Sequence, residues 1–189
     1  MDILLATNNK NKVIELTKIF QFFNSKHKII LPNKNLVIEE NQPTIEKNAE
    51  KKAKEYFKVF RVPVISDDSG LFVNALDGRP GVNSKRFAGD FASDQNNIIK
   101  LISEMEHKND REAVFKTVLC YFDGTRVYFS KGELYGEITS EPRGNNGFGY
   151  DPIFQVNGLT LAELNLEEKS SISHRKKASL DMVRFLNEI

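Results

Sequence analysis

Two adjacent carboxylates, Asp67 and Asp68, followed at once by Ser69 and Gly70, are the residues of this sequence best suited to chemistry. They come directly after Val62, Val64 and Ile65, an apolar run (with Pro63 inside it) that predicts a buried strand ending at the aspartates. Carboxylates held by a rigid strand can bind a hard divalent cation or take a proton from water. Beyond them Gly78, Pro80 and Gly81 predict a tight loop, and Ser84, Lys85 and Arg86 supply a hydroxyl and two cations. Carboxylates for a metal, then donors for an anion, are the composition of a phosphate-handling site. The same Asp-Asp-Ser-Gly run also suits a solvated turn with no function.

A second candidate lies near the N-terminus. Residues 2–6 (DILLA) predict a buried strand, and Thr7, Asn8, Asn9, Lys10, Asn11 and Lys12 the loop after it. Val13, Leu16, Phe20 and Phe23 then fall at helical spacing, predicting a helix over 12–23. A helix N-terminus offers free N–H groups and a positive dipole end to a phosphate. Lys10 and Lys12 add charge there, and Thr7 and Asn9 add short-range hydrogen bonds. The design is that of a P-loop, but no G-x-x-x-x-G-K-[ST] is present, and an ordinary polar strand-to-helix loop reads the same way.

Two later stretches could recognise a ligand. Residues 141–154 (EPRGNNGFGYDPIF) predict a glycine-rich loop in which Phe148 or Tyr150 could stack on a planar base, or simply pack. Ser173 predicts the cap of a final helix with Ala178, Met182, Phe185 and Ile189 on its core face. His174 and Arg175 sit in its first turn, where cations oppose the dipole by about 0.3–1 kcal/mol each. Either an anionic or oxygen-rich ligand places them, or the small cost is tolerated.

The elements that must position these residues read as a mixed set. Short strands are predicted around 29–31 and 36–38, and Thr44 predicts the cap of a helix over 45–60, with Lys51 and Lys52 early in it. A helix over 90–105 follows. Residues 113–122 and 125–130 predict an antiparallel hairpin about Asp123-Gly124, and residues 161–166 a short helical piece. Both crossover and hairpin connections imply an α/β fold with a mixed sheet flanked by helices.

Composition narrows the function classes. The chain has 189 residues, 28% charged and 40% hydrophobic, which suits one globular domain spanning 1–189. A net charge of +1 gives no global field to recruit nucleic acid or an anionic membrane. The single Cys120 lies in an apolar run and reads as a buried structural thiol. The early run Ile3-Leu4-Leu5-Ala6 is too short for a signal or a membrane span, so a cytoplasmic location is expected.

Taken in order, SDDSG at 66–70, PGVNSKRF at 80–87, GFGYDP at 147–152 and EEKSSISHR at 167–175, with ATNNKNK at 6–12, resemble the inosine triphosphate pyrophosphatase family. The resemblance runs from the first strand to the last helix. It implies a long mixed sheet with two lobes around a central substrate cleft, and a homodimer. It also implies hydrolysis of ITP, dITP and XTP to the monophosphate and pyrophosphate with Mg²⁺. Thr7 to Lys12 match the phosphate-binding loop, Lys52 a lysine facing the phosphates, and Glu40 a metal-holding glutamate. Asp68 matches the catalytic, metal-associated proton acceptor, and Ser69 a substrate contact. Phe148, Gly149, Tyr150 and Asp151 match the nucleoside loop. Lys169, His174 and Arg175 match residues around the base, where they would donate to a 6-keto oxygen. The order of residues does not separate the work of Asp67 from that of Asp68.

Two departures from the family pattern stand out. Asn8 and Asn11 replace glycines, a change that left-handed backbone at Asn would absorb. Lys47 replaces the glutamate that would complete a capping box with Thr44.

Overall fold

The computed structural model describes residues 1–23, 26–34 and 36–189. Among the described residues it is a mixed α/β protein of eight strands and five α-helices. The strands form one sheet in the order β2 (Lys28–Ile30), β1 (Asp2–Ala6), β3 (Val64–Val73), β5 (Glu112–Phe122), β6 (Val127–Ile138), β7 (Phe154–Val156) and β8 (Leu159–Thr160), with β4 (Pro80–Gly81) paired to β3. The chain divides into two compact units. One comprises Met1–Asp68, Thr117–Gly132 and His174–Ile189, the other Ser69–Lys116 and Glu133–Ser173.

In the first unit β1 (Asp2–Ala6) runs parallel to β2 (Lys28–Ile30) and to the start of β3 (Val64–Val73). Parallel neighbours are covered on both faces, which is why DILLA and VIS read as continuous apolar runs. Helices α1 (Lys10–Phe22) and α5 (His174–Glu188) pack on this sheet. Leu16 and Phe20 meet Ile3, Leu5, Ile65, Leu119, Ala178, Met182 and Leu186 in one core. Helix α2 occupies Ile45–Phe60 as the pattern predicts. Thr44 accepts from the Lys47 N–H at 3.2 Å, so the cap survives Lys47 at the position where a capping-box glutamate would stand.

The second unit has its own core, with Leu71, Val73, Ile98, Leu101, Leu134, Ile138, Ile153 and Phe154 in it. It holds β4 (Pro80–Gly81), α3 (Asp94–Met105), β7 (Phe154–Val156), β8 (Leu159–Thr160) and α4 (Leu166–Ile172). Strands β5 (Glu112–Phe122) and β6 (Val127–Ile138) are neighbours in the sheet, and Asp123 Oδ1 closes their connection by accepting from the Thr125 and Arg126 N–H groups at 3.0 and 2.7 Å.

Several boundaries differ from expectation, each for a local reason. β3 does not end at the aspartates; it continues through Ser69 and Gly70 to Val73. Gly70 is a close approach rather than a turn, because a Cβ there would lie 2.5 Å from the carbonyl oxygen of Gly81 on the paired β4. The Ser84 hydroxyl, expected to face an anion, accepts from the Leu71 N–H at 2.8 Å and donates to Gly81 O at 2.6 Å, stapling this hairpin. Helix α3 starts four residues later than predicted, where Ser93 accepts from the Asn96 N–H. No strand forms over 36–38. The helical piece expected over 161–166 is instead α4, set by an Asn165/Glu168 capping box. Ile189 is 41% exposed rather than core, since α5 ends at Glu188 and Leu186 takes the buried position.

Candidate active site

The N-terminal loop is shorter than expected. Helix α1 starts at Lys10, so Lys10, Asn11 and Lys12 are its first helical residues. Asn9 caps it, its Oδ1 accepting from the N–H groups of Asn11 at 3.0 Å and Lys12 at 3.2 Å. Thr7 Oγ1 accepts from the Asn9 N–H at 3.3 Å. Two donors that an anion could have taken are thus turned onto Asn9, and Lys12 contributes through its ammonium. Positive φ among the described non-glycine residues is confined to Arg61, Asp77 and Asn157, so Asn8 and Asn11 are not left-handed. Asn8 acts through its carboxamide, donating to Leu36 O at 2.9 Å and accepting from the Tyr56 hydroxyl at 3.0 Å.

The two aspartates of β3 separate clearly. Adjacent strand side chains point to opposite faces, and here they find different company. Asp67 is fully buried, with Oδ2 2.6 Å from Lys12 Nζ. Its backbone carbonyl accepts from Lys52 Nζ at 2.7 Å, and the same ammonium pairs with Glu40 Oε1. One residue thereby locates two lysines, one through its side chain and one through its main chain. Burial works against the Asp67 carboxylate, but Lys12, Lys52 and Arg175 outweigh it and hold the group below the usual aspartate range. Burial likewise opposes the Lys52 ammonium, and Asp67, Glu40 and Asp68 together keep its pKa above normal.

Asp68 shows the opposite balance. It is 6% exposed, and burial pushes its pKa up to about 6. Lys52 and Lys12 pull it down, while Glu40 and Asp67 push it up again. A carboxylate titrating near neutrality beside two ammonium groups is equipped to take a proton from water. Glu40 and Asp68 also fit a divalent cation on their chemistry. Both are hard oxygen donors, and their mutual repulsion is the kind a cation relieves.

His174 and Arg175 open α5 and are buried, at 2% and 4% exposure. Arg175 Nη1 lies 3.1 Å from Oε2 of Glu15, itself buried on α1. Glu15 is absent from the residues that the sequence singles out, because a glutamate on an amphipathic helix reads as solvated. The available signal was indirect: two cations in a helix's first turn need a partner. Gly132 on β6 was missed as well. A Cβ there would sit 1.9 Å from the His174 carbonyl oxygen, so only glycine lets α5 start so close to the strand.

In the second unit Ser69 lies half-buried on β3, and the nucleoside-loop candidates are tied down one by one. Asp151 Oδ2 accepts from the Phe148 N–H at 2.7 Å and from Lys169 Nζ at 2.6 Å. Lys169, expected to donate to a base, is buried on this ion pair and sits 4.6 Å from the Phe148 ring centre. Tyr150 packs in the core and donates its hydroxyl to Ser84 O at 2.7 Å. Burial and then the Asp94 charge raise its pKa, so the hydroxyl stays a donor. Of the two aromatics considered for stacking, Tyr150 is committed to the fold and Phe148 is the half-buried one.

A model of the Ham1 family matches residues 3–185. The chain is 39% identical over 197 aligned residues to a dITP/XTP pyrophosphatase of Aquifex aeolicus, covering 98% of this chain and 96% of that one. It is 43% identical over 187 residues to a dITP/XTP pyrophosphatase of Geobacter sulfurreducens, covering 93% and 92%. Among solved structures, a HAM1 protein from Coxiella burnetii superposes with a TM-score of 0.90 at 37% identity, covering 100% of both chains. The Ham1 protein of Staphylococcus aureus gives 0.88 at 37% identity, covering 100% of this chain and 99% of that one.

Proposed function

Because the chain belongs to the Ham1 family, we propose that it is a nucleoside triphosphate pyrophosphatase, hydrolysing ITP, dITP and XTP to the monophosphate and pyrophosphate. Removal of these nucleotides from the pool is the corresponding cellular role. The observation that carries the chemistry is Asp68, a nearly buried carboxylate with a pKa of about 6 set among Lys12, Lys52 and Glu40. The relatives named dITP/XTP pyrophosphatases support the substrate class.

In this reading Lys12 and Lys52, held by Asp67 and Glu40, balance the charge of the departing pyrophosphate. Asp68 accepts the proton of the attacking water as the bond between phosphorus and the α–β bridging oxygen breaks and that oxygen leaves with the pyrophosphate. Glu40 and Asp68 would hold a divalent cation, Mg²⁺ in our proposal, which when bound neutralises phosphate charge and helps orient water. Thr7 to Lys12 and Ser69 contact the phosphate end. Phe148 stacks on the base, with Gly149, Tyr150 and Asp151 shaping its loop and Lys169 behind it. His174 and Arg175 favour a 6-keto oxygen over an amino group.

We further propose a single functional domain over 1–189, a cytoplasmic location, and the homodimer that the resemblance implies. Among the described residues no helix is long and apolar enough to cross a membrane. Phosphorus NMR of the ITP reaction tests the bond cleaved. Inosine monophosphate with pyrophosphate is expected, and inosine diphosphate with orthophosphate would overturn the proposal.

A further inference from the structure

Phe148 is held by two carboxylates, and only one of them belongs to the stretch that resembles the family's nucleoside loop. Asp151 Oδ2 accepts from the Phe148 N–H at 2.7 Å. Asp94 Oδ2, from the first turn of α3, accepts from the Gly149 N–H at 2.7 Å. Each N–H belongs to a planar peptide unit, and these are the two units flanking the Phe148 Cα. Fixing both planes fixes the φ and ψ of Phe148, which leaves its ring only a choice of side-chain rotamers. Gly149 sits at φ +62 with nothing within 4 Å of where a Cβ would be. The Phe148 carbonyl of this peptide accepts from the Asp151 N–H at 3.3 Å, and the shorter 2.7 Å bond to Asp94 fixes its N–H side. Asp94 is exposed, which removes a core-packing role as its reason for being there.

We infer that Asp94 is a positioning residue for base recognition: its carboxylate orients the Phe148–Gly149 peptide and so aims the Phe148 ring. This rests on the proposed reading that Phe148 stacks on the base. A helix-end role alone would make Asp94 matter for stability and for nothing at the ligand.

The test uses the full chain and the variants Asp94→Ala and Asp94→Asn, the latter keeping an oxygen acceptor. Steady-state constants for ITP are measured together with inhibition by IMP, which carries the base, and by inorganic pyrophosphate, which does not. Asp94→Ala should raise KM for ITP and weaken IMP inhibition by about three- to tenfold, the loss of one charge-assisted hydrogen bond at an exposed site. Pyrophosphate inhibition and kcat should stay within about twofold, and Asp94→Asn should recover most of the loss. Unchanged IMP inhibition in Asp94→Ala would overturn the inference. So would equal weakening of IMP and pyrophosphate, since that reports a general loosening. If the wild type releases no pyrophosphate from ITP, the proposed function fails separately. Calorimetric titration of IMP into wild type and Asp94→Ala then decides the Asp94 role, with equal affinities overturning it.

Discussion

Replacing each β3 aspartate with asparagine should change stability in opposite directions, although the two residues are adjacent. Asp68 has a folded pKa of about 6 against an ordinary 3.8. Between those values the folded protein binds more protons than the unfolded chain, so stability falls as pH rises through the window. Above about pH 6 the whole penalty is present, at most about 3 kcal/mol at 1.36 kcal/mol per pKa unit. Asp68→Asn removes that charge. In EDTA at pH 7.5 the variant should therefore melt above the wild type, by up to roughly 10 °C for a chain of this size. The gain should shrink as pH falls and vanish below about pH 4, where the wild-type carboxyl is protonated in both states. Asp67 runs the other way. Its folded pKa is depressed, so it contributes stability above its unfolded pKa that is lost as pH falls through the folded one. Asp67→Asn should melt below the wild type at pH 7.5, losing roughly 1.5–3 kcal/mol with its bond to Lys12. Saturating Mg²⁺ should stabilise the wild type and leave Asp68→Asn nearly unmoved, while turnover by Asp68→Asn should be almost abolished. Calorimetric or fluorescence melting at pH 4, 5.5 and 7.5 reads all of this. A clear drop in melting temperature for Asp68→Asn at pH 7.5 without metal would show that the buried Asp68 charge does not destabilise the fold.

Arg175→Ala should cost roughly 3–5 kcal/mol, because it strands the buried Glu15 carboxylate. Denaturant unfolding checks this, and a loss below about 1 kcal/mol would speak against the pair. The contribution of Arg175 to base preference is therefore better read from a Glu15→Gln/Arg175→Gln double variant, which should still fold and lose discrimination between ITP and ATP. Gly147→Ala should raise KM for ITP by about tenfold or more. Its Cβ would sit 2.1 Å from Asp151 Oδ2 at a φ of +80, so the carboxylate must leave Phe148 and Lys169. An unchanged KM would show that the Asp151 contacts do not hold the loop.

What the sequence disclosed follows from how local each cause is. Helix α2 is legible to the residue because Thr44 caps its start and its apolar face repeats at helical spacing. β1 is equally clear, since a short run of buried apolar residues has few other uses. The expected end of β3 falls too early because Asp-Asp-Ser-Gly has the composition of a turn. It continues as strand because its polar groups find tertiary partners: Lys12 for Asp67, the Ala49 carbonyl for Ser66, and the β4 backbone beyond Gly70. The conflict between local composition and observed strand falls where the chemistry is proposed, as expected of functional sites. Glu15, Gly132 and Asp94 were not singled out because each acts on a residue 42 or more positions away, as Gly132 does on His174. Spacing along the chain carries no trace of such contacts. The separate environments of Asp67 and Asp68 likewise required the positions of both lysines.

Initial rates of pyrophosphate release from ITP, XTP, ATP and GTP, each with Mg²⁺ and with EDTA, decide the proposed activity. Rapid, metal-dependent release from ITP and XTP and little from ATP and GTP is expected. Comparable rates on all four would remove the proposed base selection, and no release from ITP or XTP with Mg²⁺ would contradict the pyrophosphatase assignment itself.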